Sequence, residues 1–249
     1  MKFVVDTHTH TTASGHAYST ILENSLAAKG NGLSLLCMTD HASSMPGAPH
    51  NWHFGNQSAI PRFLHGVGIV RGIEANILNE AGEIDVPELL FNYLDWINGS
   101  LHEPVFPPKD KATHTQTLIN TIRRREIHAI AHSGNPNFDF DFEAVVYEAA
   151  KHKVAIEINN ASLSTTRLGS QPRCEEIAAL ARDMGAYVTT GSDAHFAYAV
   201  GEFSATHALL QKVNMPEEQI ITSSPERFLS FLEERGGERI SEFSDWYSN

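Results

Sequence analysis

The 249-residue sequence is short of cysteine, of positive charge and of long apolar runs. Two cysteines, Cys37 and Cys174, exclude a disulfide framework and suit a reducing compartment. Lysine and arginine number 18 against 30 acidic residues, a net charge of −12. That balance argues against a nucleic-acid backbone as the main partner, because phosphate chains need a basic face. No run of about eighteen apolar residues exists, so no membrane-spanning helix is expected. The opening MKFVVDTHTH has no apolar stretch of signal-peptide length, which predicts a cytoplasmic protein. What the chain has in abundance is histidine, 14 residues in all. A lone histidine is usually a core or surface residue, so the question is whether these fall into a pattern.

Apolar runs alternate with helical patterns. FVVD (3–6), LSLLCMT (33–39), VGIVRGIE (67–74), LDWINGS (94–100), IHAIAH (127–132), VAIEIN (154–159) and YVTTGS (187–192) read as seven strands. Helical spacing fills 18–29, 115–125, 142–152, 174–184, 203–212 and 225–234, the last with Ser224 as N-cap before Pro225. Residues 42–66 read as a long irregular loop, of the kind that is often functional. Alternating strands and helices imply a parallel sheet covered by helices, either closed into a barrel or open and doubly wound. In both cases ligands gather beyond the carboxyl ends of the strands.

Nearly every one of those ends carries a metal-type ligand. The first strand runs into Asp6, His8 and His10, the second into Asp40 and His41, the third into Glu74. The fourth, fifth and seventh lead to His102, His132, and Asp193 with His195. His8 and His10 are two apart and so share a strand face, as do Asp193 and His195. His16 lies close enough in the first loop to join them. Seven histidines (His8, His10, His16, His41, His102, His132, His195) and two carboxylates (Glu74, Asp193) exceed the roughly four ligands one zinc takes. A bridging Glu74 and two or three ions accommodate them. The imidazole-rich set suits zinc, manganese or iron better than magnesium.

The motifs D-T-H-T-H (6–10), T-D-H (39–41), G-I-E (72–74), S-L-H-E-P (100–104), A-H-S-G-N-P (131–136) and G-S-D-A-H (191–195) resemble those of the polymerase and histidinol phosphatase (PHP) family. G-H-A-Y-S-T (15–20), N-W-H-F (51–54) and H-E-P-V-F (102–106) resemble its YcdX-type phosphatase branch. The resemblance spans nearly the whole chain. It implies one domain over 1–249, a distorted seven-stranded β/α (TIM-like) barrel holding three divalent ions. On this chain those ions would take His8, His10, Glu74 and Asp193; Glu74, His102 and His132; and His16, His41 and His195.

The expected activity is hydrolysis of small phosphomonoesters by a metal-activated water or hydroxide, with His8, Glu74 and Asp193 at the reacting centre. Asp193 is also a candidate proton carrier. Bound ions would make the pocket locally positive on an acidic protein. The competing readings are a PHP-type phosphodiesterase or nuclease, an amidohydrolase-like hydrolase, and a non-catalytic metal-bound regulatory module. Glu74 and His102 stand where an amidohydrolase commonly carries a carboxylated lysine. A homo-oligomer is compatible with the sequence. Asp6 reads either as an orienting partner of a ligand histidine or as a strand cap. Arg167 reads as an exposed arginine ahead of a phosphate clamp, and Lys109 and Lys111 likewise face solvent. Asn159 and Asn160 either touch substrate or finish their strand. His50, His53 and His65 are read as surface residues, Trp52, Phe54 and Phe106 as packing aromatics, and Cys37 as core.

Overall fold

Seven parallel strands form the framework of a computed structural model that describes residues 1–247; Ser248 and Asn249, the end of the expected 1–249 domain, lie outside the described residues. The strands are β1 (Val5–Asp6), β2 (Leu35–Met38), β4 (Val67–Asn76), β5 (Trp96–Ser100), β6 (Ala129–Ile130), β7 (Ala155–Asn159) and β8 (Val188–Gly191). They pair in that order, all parallel. A short β3 (Phe63–Leu64) lies antiparallel to β4 across a turn at His65 and Gly66, both with positive φ. The segment read as an irregular loop therefore contains a hairpin, preceded by a one-turn helix α2 (Trp52–Gly55). A bridge between Thr9 and Ala194 brings the first and last strands together, so the barrel is nearly closed.

The main helices follow the strands: α1 (Ile21–Gly30), α3 (Lys111–Arg124), α4 (Phe142–His152), α5 (Asn160–Ser164), α6 (Ser170–Met184), α7 (Ser204–Lys212) and α8 (Pro225–Glu234). Local chemistry explains their starts. Thr20 and Glu23 form a reciprocal capping box on α1, Asp110 and Asp141 cap α3 and α4, and Ser224 accepts from Arg227 N ahead of Pro225. No described helix is long and apolar enough to cross a membrane.

Strand alternation sorts the side chains into two cores. Ile69, Ile73, Ile97, Ile130, Ile156 and Ile158 pack outward against the helices. Val5, Leu35, Cys37, Val70 and Trp96 fill the lower barrel, closed by Phe228 and Phe231 of α8. Above that apolar plug the interior turns polar: Asn98, Ser100, Glu74, Asn76, Glu157 and Asn159 are all buried. Buried polar groups in that number need partners, and they find them at the carboxyl ends of the strands.

Candidate metal centre

Glu74, near the end of β4, is the hub. Its Oε2 lies 2.7 Å from His41 Nδ1 and 3.5 Å from His10 Nε2. Its Oε1 lies 3.0 Å from His132 Nε2, 3.2 Å from His102 Nε2 and 3.3 Å from His8 Nε2, and accepts from Ser100 Oγ at 2.7 Å. Asp193 Oδ1 adds contacts to His10 Nε2 at 3.2 Å, His195 Nδ1 at 3.6 Å and His8 Nε2 at 3.7 Å. Three groups have ligand atoms close enough to share an ion: His8, His10 and Asp193; His41, Glu74 and His102; and His10, His41 and His195.

All nine ligand candidates thus lie together at one end of the barrel. His41 sits with Glu74 and His102, and His10 with His41 and His195. His132 is hydrogen-bonded to Glu74. His16 is exposed, its ring 5.0 Å from His41 and 4.8 Å from His195.

The decisive observation is what these atoms lack. Nε2 of His8, His10 and His102, Nδ1 of His41 and Oε2 of Glu74 are buried without a hydrogen-bond partner among the described residues. Orphaned buried polar atoms are costly and rare, yet five cluster here. Donors around one tetrahedral ion at about 2.0–2.1 Å lie about 3.3 Å apart. The spacings of His8, His10 and His102 from Glu74 and of His10 from Asp193, 3.2–3.5 Å, fall near that value.

The opposite ring nitrogens are tied down. His8 Nδ1 donates to Glu157 Oε1 at 2.8 Å, His102 Nδ1 to Asn76 Oδ1 at 2.7 Å, His10 Nδ1 to Ser14 Oγ at 3.1 Å, and His195 Nδ1 to the Asp193 carbonyl at 2.9 Å. Such bonds fix both ring orientation and tautomer, leaving the inner nitrogen a lone pair. Glu157 is the residue that sequence reading misses. It also accepts from His132 N at 2.6 Å and Asn159 Nδ2 at 3.2 Å, so one carboxylate supports two candidate ligands. Its signal is a single acid inside the apolar VAIEIN. Gly191 makes room for it: a Cβ there would lie 2.2 Å from Glu157 Oε1 and 2.5 Å from His8 Cβ.

Asp40 plays the equivalent part on the other side. It accepts from Thr11 N, Thr11 Oγ1 and Ser14 Oγ at 2.6–2.7 Å and from His53 Nε2 at 3.0 Å. His53, expected as a free surface residue, is therefore a half-buried partner of Asp40. His65 likewise bonds Ser25 Oγ at 2.9 Å, whereas Trp52 is exposed and lines an apolar groove with His50. Asp6 supports backbone rather than an imidazole ring, accepting from N–H of Ser192, His8 and Gly201. Burial pushes its carboxyl up to about 6.

Arg167 departs from its expected exposure. Its Nη1 lies 2.9 Å from Asp193 Oδ2 and 3.1 Å from Ser162 Oγ. It reaches there from a loop residue with positive φ. His132 and Asp193 also have positive φ, 31° and 57°. Such backbone is unusual for non-glycine residues and concentrates at functional sites. Asn159 Nδ2 contacts Asp193 Oδ2 at 3.2 Å, while Asn160, the first residue of α5, accepts through Oδ1 from Ala205 N and Thr206 N in the first turn of α7 and so pins that helix.

Electrostatics fit ligands. Burial opposes ionisation of Glu74, but His8, His41 and His102 overcome it and hold the carboxyl well below the usual range. Burial is likewise outweighed at Asp193 by His8, Arg167 and His10. Burial, with the Arg167 charge, pulls His132 down to about 4, and burial beside His41 lowers His10. Neutral imidazole and ionised carboxylate are the ligating forms. At His8 burial also lowers, yet Glu157, Glu74 and Asp193 together hold it well above its ordinary value. A cation among those carboxylates reverses that preference.

No family model matches the chain. It is 59% identical over 244 residues to a probable phosphatase of Photobacterium profundum, covering 98% of this chain and 99% of that one. Among solved structures, the histidinol phosphate phosphatase (HisK) of Lactococcus lactis, complexed with zinc, L-histidinol and phosphate, superposes with a TM-score of 0.60 at 12% identity, over 87% of this chain and 95% of that one. A Listeria monocytogenes protein provisionally assigned as a histidinol phosphatase gives 0.63 at 16% identity, over 82% and 99%. The latter two show the fold, a nearly closed barrel of seven parallel strands. By its identity to the first over nearly the full length of both, this chain belongs to the family of these probable phosphatases.

Proposed function

We propose that the chain is a YcdX-type phosphatase that hydrolyses small phosphomonoesters with up to three divalent ions at this centre. Zinc is the first candidate, with manganese or iron as alternatives. The five orphaned buried atoms around Glu74 carry the reading. The ligands would be His8, His10, His16, His41, Glu74, His102, His132, Asp193 and His195, with Glu74 shared between ions. Bound there, divalent ions supply an acidified water as nucleophile and charge to offset that of the phosphoryl oxygens.

The chain's own groups do the rest. Glu157, Asn76 and Ser14 orient the imidazoles. Asp193, held ionised, suits a ligand better than a proton donor. Arg167 spends one Nη on Asp193 and Ser162, which leaves guanidinium N–H groups to grip a phosphoryl oxygen. Arg167→Ala is expected to raise KM for phosphomonoesters by roughly tenfold or more, with metal content retained and Arg167→Lys recovering only part. Unchanged KM removes the clamp.

Elemental analysis and phosphate release test the whole reading. Purified protein should carry two to three transition-metal ions per chain and release phosphate from a phosphomonoester panel faster than it cleaves bis(p-nitrophenyl) phosphate or single-stranded DNA. Metal-loaded protein that hydrolyses none of them would favour a non-catalytic module, and preference for the diesters would favour a nuclease.

A further inference from the structure

The chain has eleven arginines. Eight of them lie within 4.0 Å of a carboxylate among the described residues: Arg62, Arg123, Arg124, Arg167, Arg173, Arg182, Arg227 and Arg239. The three that do not, Arg71, Arg125 and Arg235, all line a single cleft of about 820 Å³. It opens where β5 and β6 begin, at the end of the barrel opposite the histidine cluster, with the Trp96–Phe228 plug between the two.

Three of the four acids of this cleft already have side-chain partners. Asp95 takes Arg62 in a two-pronged contact at 2.5 and 3.1 Å and also accepts from Arg71 N. Glu126 is held the same way by Arg124, which lies outside the lining, and Glu242 accepts from Ser241 Oγ. Glu238, exposed, is the remaining acid of the lining. Arg71 makes one side-chain hydrogen bond, to the Ser58 carbonyl, and its buried Nε has no partner. Arg235 binds three carbonyls through its Nη atoms, leaving its buried Nε orphaned. Arg125 makes no side-chain hydrogen bond among the described residues. His128 adds a donor: its Nδ1 accepts from Ile97 N, which fixes the proton on Nε2.

Unpaired guanidinium groups crowded together repel each other. Burial and the neighbouring Arg125 lower Arg235 to about 10, and burial with Arg62 lowers Arg71. On a chain of net charge −12, three arginines whose guanidinium groups have no carboxylate within 4.0 Å among the described residues share this one cleft, where Asp95 and Glu242 partly offset Arg71. The cleft's size is that of a small-molecule site, about 300–1,000 Å³, far more than a bare oxyanion needs. We infer that this cleft is a second binding site, for a small organic phosphate held by Arg71, Arg125 and the His128 Nε2–H. The inference does not rest on the phosphatase reading.

Titration calorimetry on the purified, metal-loaded protein tests it, with inorganic phosphate, phenylphosphonate and 4-phosphonobutyrate as probes. The C–P bonds of the phosphonates survive a phosphatase. Wild type should bind one more phosphonate per chain than the Arg71→Ala, Arg125→Ala double variant. Arg125→Ala alone removes an exposed side chain with no bond to break, and should weaken that event about tenfold, the loss of roughly 1.4 kcal/mol. Equal stoichiometry and affinity in wild type and Arg125→Ala overturns the site. Tighter binding of inorganic phosphate than of both phosphonates overturns the organic ligand. Because the readout is binding, a catalytically silent protein that still shows the arginine-dependent event would sink the proposed activity and leave this site standing.

Discussion

Glu74→Ala is expected to release at least one metal ion per chain and to lower kcat for phosphomonoesters by roughly 10³-fold or more. The expectation follows from the position of one carboxylate among five imidazoles, His8, His10, His41, His102 and His132, all within 3.5 Å. No other acid among the described residues has a side-chain contact of this kind with the rings of His41, His102 or His132, so nothing there replaces its charge or its oxygens. Glu74→Gln separates charge from packing. It keeps the volume and can still pair with Ser100, yet offers an amide where an ionised oxygen is needed. It should lose metal and activity nearly as fully while keeping the far-ultraviolet circular dichroism of wild type. His8→Ala should lower kcat on a similar scale. Unchanged metal content in both Glu74 variants would sink the hub assignment.

Glu157→Gln is the second large effect, and it is expected without any loss of a candidate ligand. Glu157 accepts from three donors: His8 Nδ1, the His132 backbone N–H and Asn159 Nδ2. A glutamine has one acceptor oxygen and one NH2. Whichever way it turns, a donor faces a donor. The His8 ring then loses its fixed tautomer or the His132 backbone loses its anchor, and an unsatisfied buried group costs about 1–3 kcal/mol. Metal affinity and kcat should each fall about 10- to 100-fold, the scale at which partners of metal-bound histidines usually act. Metal titration and steady-state kinetics on the same preparation measure both. A variant with wild-type affinity and turnover would show that His8 is oriented by its packing alone.

The contrast between Glu74 and Glu157 shows how far the sequence reaches. Glu74 is legible because it ends the apolar run VGIVRGIE, and parallel topology carries such ends to one place. The same rule finds His41, His102, His132, Asp193 and His195. Glu157, like Glu74, lies two residues before the end of its observed strand, but in the sequence it falls inside the apolar run VAIEIN, and its role depends on which neighbour crosses the barrel to meet it. Arg167 depends on a left-handed loop residue, which local pattern does not announce. Strand positions follow from the apolar runs, whereas their lengths do not. IHAIAH is paired only at Ala129–Ile130, because the backbone turns out of strand geometry at His132 to aim the ring. Residues 42–66 lack strand-like alternation, and β3 forms there because β4 offers an edge to pair with, a tertiary cause rather than a local one.

The place where the barrel closes has a consequence for stability. Thr7 N bonds the Thr190 carbonyl, His10 N the Ala194 carbonyl, and Asp193 N the His8 carbonyl. The seam thus runs between the segments bearing His8 and His10 and those bearing Asp193 and His195. A cation shared across it would act as a cross-link between His8 and Asp193, about 185 residues apart in the sequence, closing a long loop. Occupancy would then be read in the slow exchange of the seam amides of His10 and Asp193, and chelation would unzip the barrel first along this line.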